Sequence, residues 1–144
     1  MLTAEGHVLV GNVMLDALHT LEPCVAIAGV ELGGCSLVSA VSYASYLRGS
    51  PIDAFYVRKT AKSHGSQRLI EGSDNVAPGN AIIVLEDTVT TGLSSLNAVS
   101  KLRDARYRAV GVVALVDRLE GARETFNVAC VPFVSVFTRN DFPD

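Results

Sequence analysis

Two neighbouring acids and a run of small hydroxyl side chains stand together in the stretch VLEDTVTTGLSS, residues 84–95. Glu86 and Asp87 follow an apolar segment, and the tripeptide ending at Gly92 precedes a helix-like segment. Backbone N–H groups at such a turn and at a helix N-terminus, which carries about half a positive charge, suit a phosphate. Carboxylates repel a phosphate but accept hydrogen bonds from vicinal sugar hydroxyls. The stretch therefore predicts a site for a phosphorylated ribose, with its 5′-phosphate in the turn and its 2′- and 3′-hydroxyls on the acids.

Two familiar phosphate-binding motifs do not match this stretch. Gly92 is followed by Leu93 instead of Lys, which excludes the P-loop pattern, and no GxGxxG follows any predicted strand. A simpler interpretation of the same residues is an acidic strand end followed by a helix that Thr91 or Ser94 caps. In the phosphate interpretation, the hydroxyls that add hydrogen-bond donors are those of Thr88, Thr90, Thr91 and Ser94.

A second group of residues suited to anion chemistry lies in RKTAKSHGSQ, residues 58–67. This polar segment has no helical or strand period, which indicates a loop. The loop is either a solvated basic surface or a set of cations directed at a bound anion. Its cationic residues, together with the one that follows it, are Arg58, Lys59, Lys62, His64 and Arg68.

The elements that must position these residues alternate between strand and helix. Helical spacing of apolar residues runs over 6–22, 37–47 and 93–105, and short apolar runs indicate strands at 24–30, 53–57, 68–72, 81–85, 109–116 and 131–137. This alternation predicts an α/β fold, a single domain over residues 1–144 with a mostly parallel central sheet flanked by helices. Ligands bind such sheets beyond the carboxyl ends of the strands. The polar segments expected to converge there are 31–34, 58–65, 86–92 and 117–118.

Composition excludes several classes of protein. The 144 residues carry a net charge of −3, which gives no global basic field for nucleic acid or an acidic membrane surface. No signal peptide is evident, and the apolar runs are too short to span a bilayer. Three cysteines are widely spaced, which indicates reduced thiols used in packing and a cytoplasmic protein.

Several motifs in the same order resemble one known family. IIVLEDTVTTG looks like the phosphoribosyl pyrophosphate (PRPP) signature of type I phosphoribosyltransferases, whose fold is Rossmann-like. YVRKTAKSHG resembles the flexible catalytic loop of the orotate phosphoribosyltransferases. LIEG, ALVDRLEG and the C-terminal VPFVSVFTRNDF are also similar to that family, so the resemblance extends over nearly the whole chain.

The resemblance implies an enzyme that moves phosphoribose from PRPP to orotate, giving orotidine 5′-monophosphate and pyrophosphate, with Mg²⁺ and in a homodimer that shares the basic loop. The catalytic residues would be Lys62, Arg58 and His64, which contact the pyrophosphate. Arg118 and Thr90 would bind orotate, although Arg118 could instead pair with Glu120 or Glu124 near the next helix. The residues expected to contact the donor are Lys59, Glu86, Asp87, Thr88, Val89, Thr90, Thr91, Gly92, Leu93, Ser94, Gly33 and Gly34.

Two features at the start of the site need separate mention. Gly33 and Gly34 allow a backbone to approach pyrophosphate closely, since glycine has no side chain, whereas some relatives carry a lysine at about Gly33. Mg²⁺ is expected mainly on the donor's pyrophosphate, with no direct protein ligand assigned beyond a contact from Glu31 through water.

The sequence departs from the family at the part of the site that receives the base. Orotate phosphoribosyltransferases normally carry an N-terminal segment with a Ser-Pro-Tyr-type motif that forms a hood over orotate, and this segment is not found in the chain. Two alternatives therefore stay open: transfer to another pyrimidine or to a purine, and a non-catalytic nucleotide-sensing relative.

Overall fold

The computed structural model describes residues 3–61 and 68–143. Within them strands and helices alternate, and two short 3₁₀ turns complete the list. In chain order the elements are α1 (Ala4–Leu18), β1 (Ala26–Val30), α2 (Gly33–Leu47), β2 (Asp53–Val57), β3 (Ile70–Glu71), a 3₁₀ turn (Ser73–Asn75), β4 (Ala81–Val89), α3 (Leu93–Asp104), β5 (Arg108–Asp117), α4 (Ala122–Val128), β6 (Phe133–Thr138) and a second 3₁₀ turn (Arg139–Asp141).

The six described strands form one sheet in the order β3-β2-β1-β4-β5-β6. All neighbouring pairs are parallel except β2 and β3, which pair antiparallel. The predicted α/β fold with a mostly parallel sheet is therefore confirmed. The chain crosses from one half of the sheet to the other between β1 and β4, which is the place where open α/β sheets bind their ligands.

The helices cover both faces of the sheet, as right-handed crossovers require. Helices α1 and α2 bury Met14 and Val41 on one face, and α3 and α4 bury Leu102 and Phe126 on the other. Strand β4 contributes to both layers, with Ile83 among the residues of the first face and its neighbours 82 and 84 in the second. The burial of residues 81–85 between the two helical layers explains why this part of the strand is a continuous apolar run.

The structure differs from the predicted boundaries at two positions next to the proposed ligand. Helix α2 begins at Gly33, four residues earlier than predicted, so the two glycines form its first turn and do not precede it. Strand β4 continues past the acids to Val89, because β5 extends to Asp117 and keeps pairing with it. Glu86 and Asp87 are thus held in a sheet and not in a loop.

No described helix has the length and apolar character to cross a bilayer. The cysteines Cys24, Cys35 and Cys130 carry free thiols, as predicted. Burial raises the pKa of Cys24 to about 11, so this thiol stays protonated at neutral pH and serves as a packing group.

Two glycines set the distance between β1 and α2. A Cβ placed on Gly34 would lie 2.9 Å from Gly29 Cα, and one placed on Gly29 would overlap the carbonyl oxygen of Gly34. Both residues are buried, and the obstructing atoms belong to the backbone, which cannot rotate away. The start of α2 therefore lies directly against the end of β1 only because neither residue has a side chain.

We expect Gly29→Ala to lower the free energy of unfolding by about 3 kcal/mol or more, since overpacking against backbone forces β1 and α2 apart. Gly79→Ala is the matched control: Gly79 is exposed at a positive φ with nothing within 4 Å of an added Cβ, so only backbone strain of about 1 kcal/mol is expected. Urea denaturation of both variants measures the difference. Equal losses would show that the contact between β1 and α2 is not close.

Candidate active site

A polar pocket of about 260 Å³ opens where β1 and β4 diverge at their carboxyl ends. It combines the end of β1, the start of the basic loop and the whole segment from the acids to the first turn of α3. Three of the four polar segments predicted to converge at this edge of the sheet contribute to the pocket, whereas residues 117–118 do not line it. The lining residues are 30–33, Lys59 and 86–95.

Glu86 lies at the base of this pocket and is 7% exposed. Its Oε1 accepts a hydrogen bond of 2.9 Å from Ser95 Oγ on α3. The pKa of Glu86 is raised to about 7, chiefly by burial. The Ser95 hydrogen bond and the Lys59 charge lower this pKa in part, and the Asp87 charge raises it. A carboxyl group that changes protonation near neutral pH therefore lies where the sequence predicts a contact with ribose hydroxyls.

Asp87 also lines the pocket and is partly exposed. Its carboxylate accepts a 2.7 Å hydrogen bond from the Thr88 N–H and packs so closely on Gly33 that a side chain there would overlap it. Gly33 thus provides space for the Asp87 carboxylate, a role the sequence analysis did not foresee. A lysine at this position, as in some relatives, would need a different arrangement of Asp87 or of the backbone.

The turn after the acids ends in a helix whose N-terminus has no side-chain cap. Gly92 is the N-cap residue of α3 with φ of 86° and ψ of −3°, and no side chain hydrogen-bonds to the cap. The interpretation in which Thr91 or Ser94 caps the helix is therefore wrong. Gly92 is needed here because its φ is positive and because an added Cβ would lie 3.1 Å from the Phe126 ring. The first-turn residues 93–95 of α3 line the pocket, and their N–H groups, which no intrahelical carbonyl can satisfy, suit an anion.

Glu31 and Lys59 join the other side of the pocket. Glu31 Oε1 accepts a hydrogen bond of 2.5 Å from the backbone N–H of Lys59, and both residues line the pocket. Glu31 therefore fixes the start of the basic loop, a contact that the sequence prediction of a water-mediated magnesium contact did not include. Arg58, immediately before, directs its Nη1 at Glu71 Oε1, 3.8 Å away, and is not among the lining residues.

The remaining predicted site residues are Gly34, Arg118, Lys62 and His64. Gly34 lies behind the pocket against Gly29 and does not line it. Arg118 is beside the end of β4, where its N–H donates to the Val89 carbonyl at 3.0 Å, but its Nη2 pairs with Glu120 Oε1 at 2.9 Å. This pair is the alternative that the sequence analysis left open. Lys62 and His64 lie outside the described residues.

Sequence reasoning missed Ser95, and it placed Asp117 at this edge of the sheet without assigning it a role. Ser95 provides the hydrogen bond to Glu86, and Asp117 organises the turn that carries Arg118. Asp117 is fully buried; its Oδ1 accepts from the Leu119 N–H at 2.9 Å, and its Oδ2 lies 3.0 Å from Arg123 Nε. The sequence signals that could have identified these roles are a serine on the buried side of a predicted helix, for Ser95, and an acid at the end of an apolar strand, for Asp117.

The described residues contain no cluster of three or more His, Cys, Asp or Glu side chains that could hold a metal ion by itself. This donor set still fits Mg²⁺ bound with a substrate, because Mg²⁺ usually takes one or two carboxylates together with substrate phosphates and water. Two carboxylates that line the pocket from neighbouring strand ends, those of Asp87 and Glu31, are available for such a role.

Comparison with known proteins indicates the same family as the sequence motifs. A scan against protein-family models gave no match. The chain is 57% identical over 145 residues to an orotate phosphoribosyltransferase of Sorangium cellulosum, covering all of the chain and 76% of that protein. It is 42% identical over 140 residues to one from Synechocystis, covering 97% of the chain and 69% of that protein.

Among solved structures, the orotate phosphoribosyltransferase of Mycobacterium tuberculosis in complex with PRPP superimposes with a TM-score of 0.85 at 36% identity, covering 99% of this chain and 78% of that chain. The fold and the pocket thus define a type I phosphoribosyltransferase. At this level of identity and coverage, the chain belongs to the orotate phosphoribosyltransferase family.

The buried Glu86 makes stability depend on pH in a defined direction. Its folded-state pKa of about 7 lies above its ordinary value of 4.5, so its contribution to stability is complete below pH 4.5 and is lost as the pH rises through 7. Glu86→Gln keeps an acceptor for Ser95 without the charge. We expect the variant to be more stable than wild type by about 3 kcal/mol at pH 8 and by much less at pH 5. Thermal and urea unfolding across this range measure the difference, and a gap independent of pH would contradict the assignment.

Proposed function

We propose that this protein transfers phosphoribose from PRPP to orotate, yielding orotidine 5′-monophosphate and pyrophosphate. The observation that carries the proposal is a single pocket in which two carboxylates of β4 adjoin the uncapped N-terminus of α3. Its family membership and the PRPP complex of its M. tuberculosis relative support the same donor.

The donor's 5′-phosphate is proposed to occupy the turn 88–92 and the first turn of α3. Backbone N–H groups and the exposed hydroxyls of Thr88, Thr91 and Ser94 supply the hydrogen bonds there. The 2′- and 3′-hydroxyls of the ribose then donate to Asp87 and to Glu86 in its ionised form. This arrangement keeps the acids on the sugar, away from the phosphate that they would repel.

The basic loop is proposed to serve the leaving group. As the C1′–O bond breaks, its electron pair departs with pyrophosphate, and fixed cations lower the barrier where that negative charge grows. Lys59 lines the pocket beside the carboxylates, and family resemblance assigns the other cations to Arg58, Lys62 and His64. Mg²⁺ bound with the donor, near Asp87 and Glu31, would neutralise part of the pyrophosphate charge.

The acceptor side is proposed to use Arg118 and Thr90. N1 of orotate forms the new bond to C1′ and loses its proton, while a fork-shaped guanidinium holds the carboxylate. In the structure the Arg118 guanidinium is paired with Glu120: Nη2 lies 2.9 Å from Glu120 Oε1, and both side chains are about half exposed. Orotate would replace Glu120 as the partner of Arg118, a low-cost exchange because exposed ion pairs contribute at most about 1 kcal/mol.

A direct assay tests the proposal. With PRPP and Mg²⁺, the protein should convert orotate to orotidine 5′-monophosphate, and uracil, adenine and hypoxanthine should react far more slowly. Chromatographic separation of nucleotides from each base gives the comparison. Absence of any nucleotide product would leave the nucleotide-sensing alternative, and a faster reaction with another base would replace orotate as the acceptor.

Two variants in the same assay separate the proposed roles. Lys62→Ala should lower kcat by roughly a hundredfold or more with nearly unchanged PRPP affinity, as expected for a cation acting on the leaving group. Arg118→Gln should raise the KM for orotate by roughly tenfold or more and leave PRPP affinity unchanged.

We also propose a homodimer, as the resemblance implies, in a cytoplasmic protein, as the sparse cysteines with free thiols indicate. One surface of α2 supports it: Tyr43, Tyr46 and Leu47 lie at helical spacing and are 65–70% exposed. Beside them Tyr56 OH and Ser39 Oγ are 2.9 Å apart. Aromatic residues in an exposed apolar stripe are typical of protein–protein interfaces.

Light scattering after size-exclusion chromatography tests this interface. Wild type should have the mass of a dimer, and Tyr46→Glu should be monomeric because it places a charge in the proposed interface. Val128→Glu is the control, since Val128 is 78% exposed on α4 and outside that surface. A monomeric wild type, or a Tyr46→Glu variant that stays dimeric, would refute the assignment.

A further inference from the structure

The backbone at the start of the basic loop is held on every side. The Arg58 N–H donates to the Leu69 carbonyl at 2.8 Å, and the Lys59 N–H donates to Glu31 Oε1. The carbonyl oxygens of Arg58 and Lys59 both accept from Lys101 Nζ, at 2.8 Å and 2.9 Å. All four backbone polar groups of these two residues therefore have fixed partners.

Lys101 reaches this position from the last turn of α3. An ammonium group has three donors, and Lys101 directs two of them at neighbouring carbonyls that would otherwise be left to water. Holding a long side chain in one conformation costs rotamer entropy. The charge-assisted hydrogen bonds offset that cost, and their effect is to fix the path of the chain at residues 58–59.

The same helix supports both ends of the pocket. The N-terminus of α3 forms the turn proposed for the 5′-phosphate, and Lys101 lies eight residues after the first helical residue, Leu93. Eight residues of α-helix extend about 12 Å. Helix α3 therefore sets the distance between the phosphate turn and the Arg58–Lys59 backbone as one rigid spacer.

Lys59 is the pocket residue whose backbone these contacts fix. It lines the pocket although it follows β2, two strands from β4 in the sheet order. Its charge is close enough to Glu86 to favour the ionised carboxylate. With its N–H and C=O fixed, the Lys59 side chain leaves from a defined point at the mouth of the pocket.

We infer that Lys101 is a positioning residue for the pyrophosphate end of the donor, acting through Lys59. This inference rests on the proposed function, since it names which residue prepares the cation for the leaving group. Lys101 itself touches backbone carbonyls and lies outside the residues that line the pocket. Its effect is to place the Lys59 ammonium before the donor binds, which lowers the cost of ordering it on binding.

The test compares pyrophosphate and PRPP binding, each with Mg²⁺, by isothermal titration calorimetry, together with kcat/KM. Lys101→Met removes the donors, and Lys101→Gln is a second, polar truncation if the first is poorly folded. Lys101→Arg restores charge and donors. Arg103→Met is the matched control, because it removes the same charge from the exposed side of the same helix turn. Lys59→Met and the double variant Lys59→Met/Lys101→Met complete the set.

Lys101→Met should weaken pyrophosphate binding by roughly tenfold, the scale of a lost charged hydrogen bond, whereas Lys101→Arg and Arg103→Met should stay near wild type. In the Lys59→Met background the second substitution should change binding by less than about twofold, because the group that it positions is already gone. If Lys101→Met acted only by destabilising the fold, it would lower the melting temperature, and its effect on pyrophosphate binding would be the same with and without the Lys59 side chain.

Two results would overturn the inference while the proposed function stands. In the first, Lys101→Met binds pyrophosphate as tightly as Arg103→Met does. In the second, Lys101→Met weakens binding as much in the Lys59→Met background as in the wild type. A wild-type protein that binds neither PRPP nor pyrophosphate would overturn the proposed function and the inference together. The wild-type titration therefore separates the two failures.

Discussion

The continuation of β4 beyond its apolar run is the constraint on which the site depends. Pairing with β5 extends the strand through Glu86 and Asp87 to Val89. The sheet therefore fixes the backbone of both acids where their carboxylates line the pocket. The Ser95 hydrogen bond then joins Glu86 to α3. A strand that ended at Leu85 would leave the acids and the helix N-terminus to move independently, and the distance between sugar and phosphate contacts would not be defined.

Burial of Glu86 is the cost of this arrangement. A carboxylate in an apolar environment is destabilising unless it is protonated or hydrogen-bonded, and one serine satisfies only part of its capacity. The chain retains an acid there although we expect a neutral residue to make the fold more stable. Strain of this kind concentrates at functional sites, and it is the physical reason to associate Glu86 with ligand binding and not with packing.

Much of the fold follows from sequence patterns. Buried parallel strands appear as continuous apolar runs. Five of the predicted strands lie within two residues of the observed boundaries at both ends, and the region 53–57 matches β2 at both. The start of α2 was missed because Gly33 and Gly34 resemble a turn in isolation; only their contacts with Asp87 and Gly29 show why glycine occurs inside a helix. The end of β4 was missed because two acids interrupt the apolar run, and pairing with β5 is a long-range interaction that no local pattern records.

The residue types of the candidate site were also accessible from sequence, whereas their partners were not. Spacing identified the acids, the Thr/Gly turn and the basic cluster, but the bonds from Ser95 to Glu86 and from Lys101 to residues 58–59 join positions 9 and about 40 residues apart. Arg118 shows the same limit, since its pairing with Glu120 depends on the turn that Asp117 organises. Contacts of this kind are set by the fold, and they decide how each group is held.

The central claim is that one pocket binds a ribose by its hydroxyls and its phosphate at once. A crystal structure of the protein with ribose 5-phosphate, which has no pyrophosphate to engage the basic loop, tests it most directly. We expect the phosphate within hydrogen-bond distance of the N–H groups at 90–94, with the sugar hydroxyls on Glu86 and Asp87. A phosphate bound to the basic loop with residues 88–92 empty, or a sugar that does not contact either carboxylate, would contradict it.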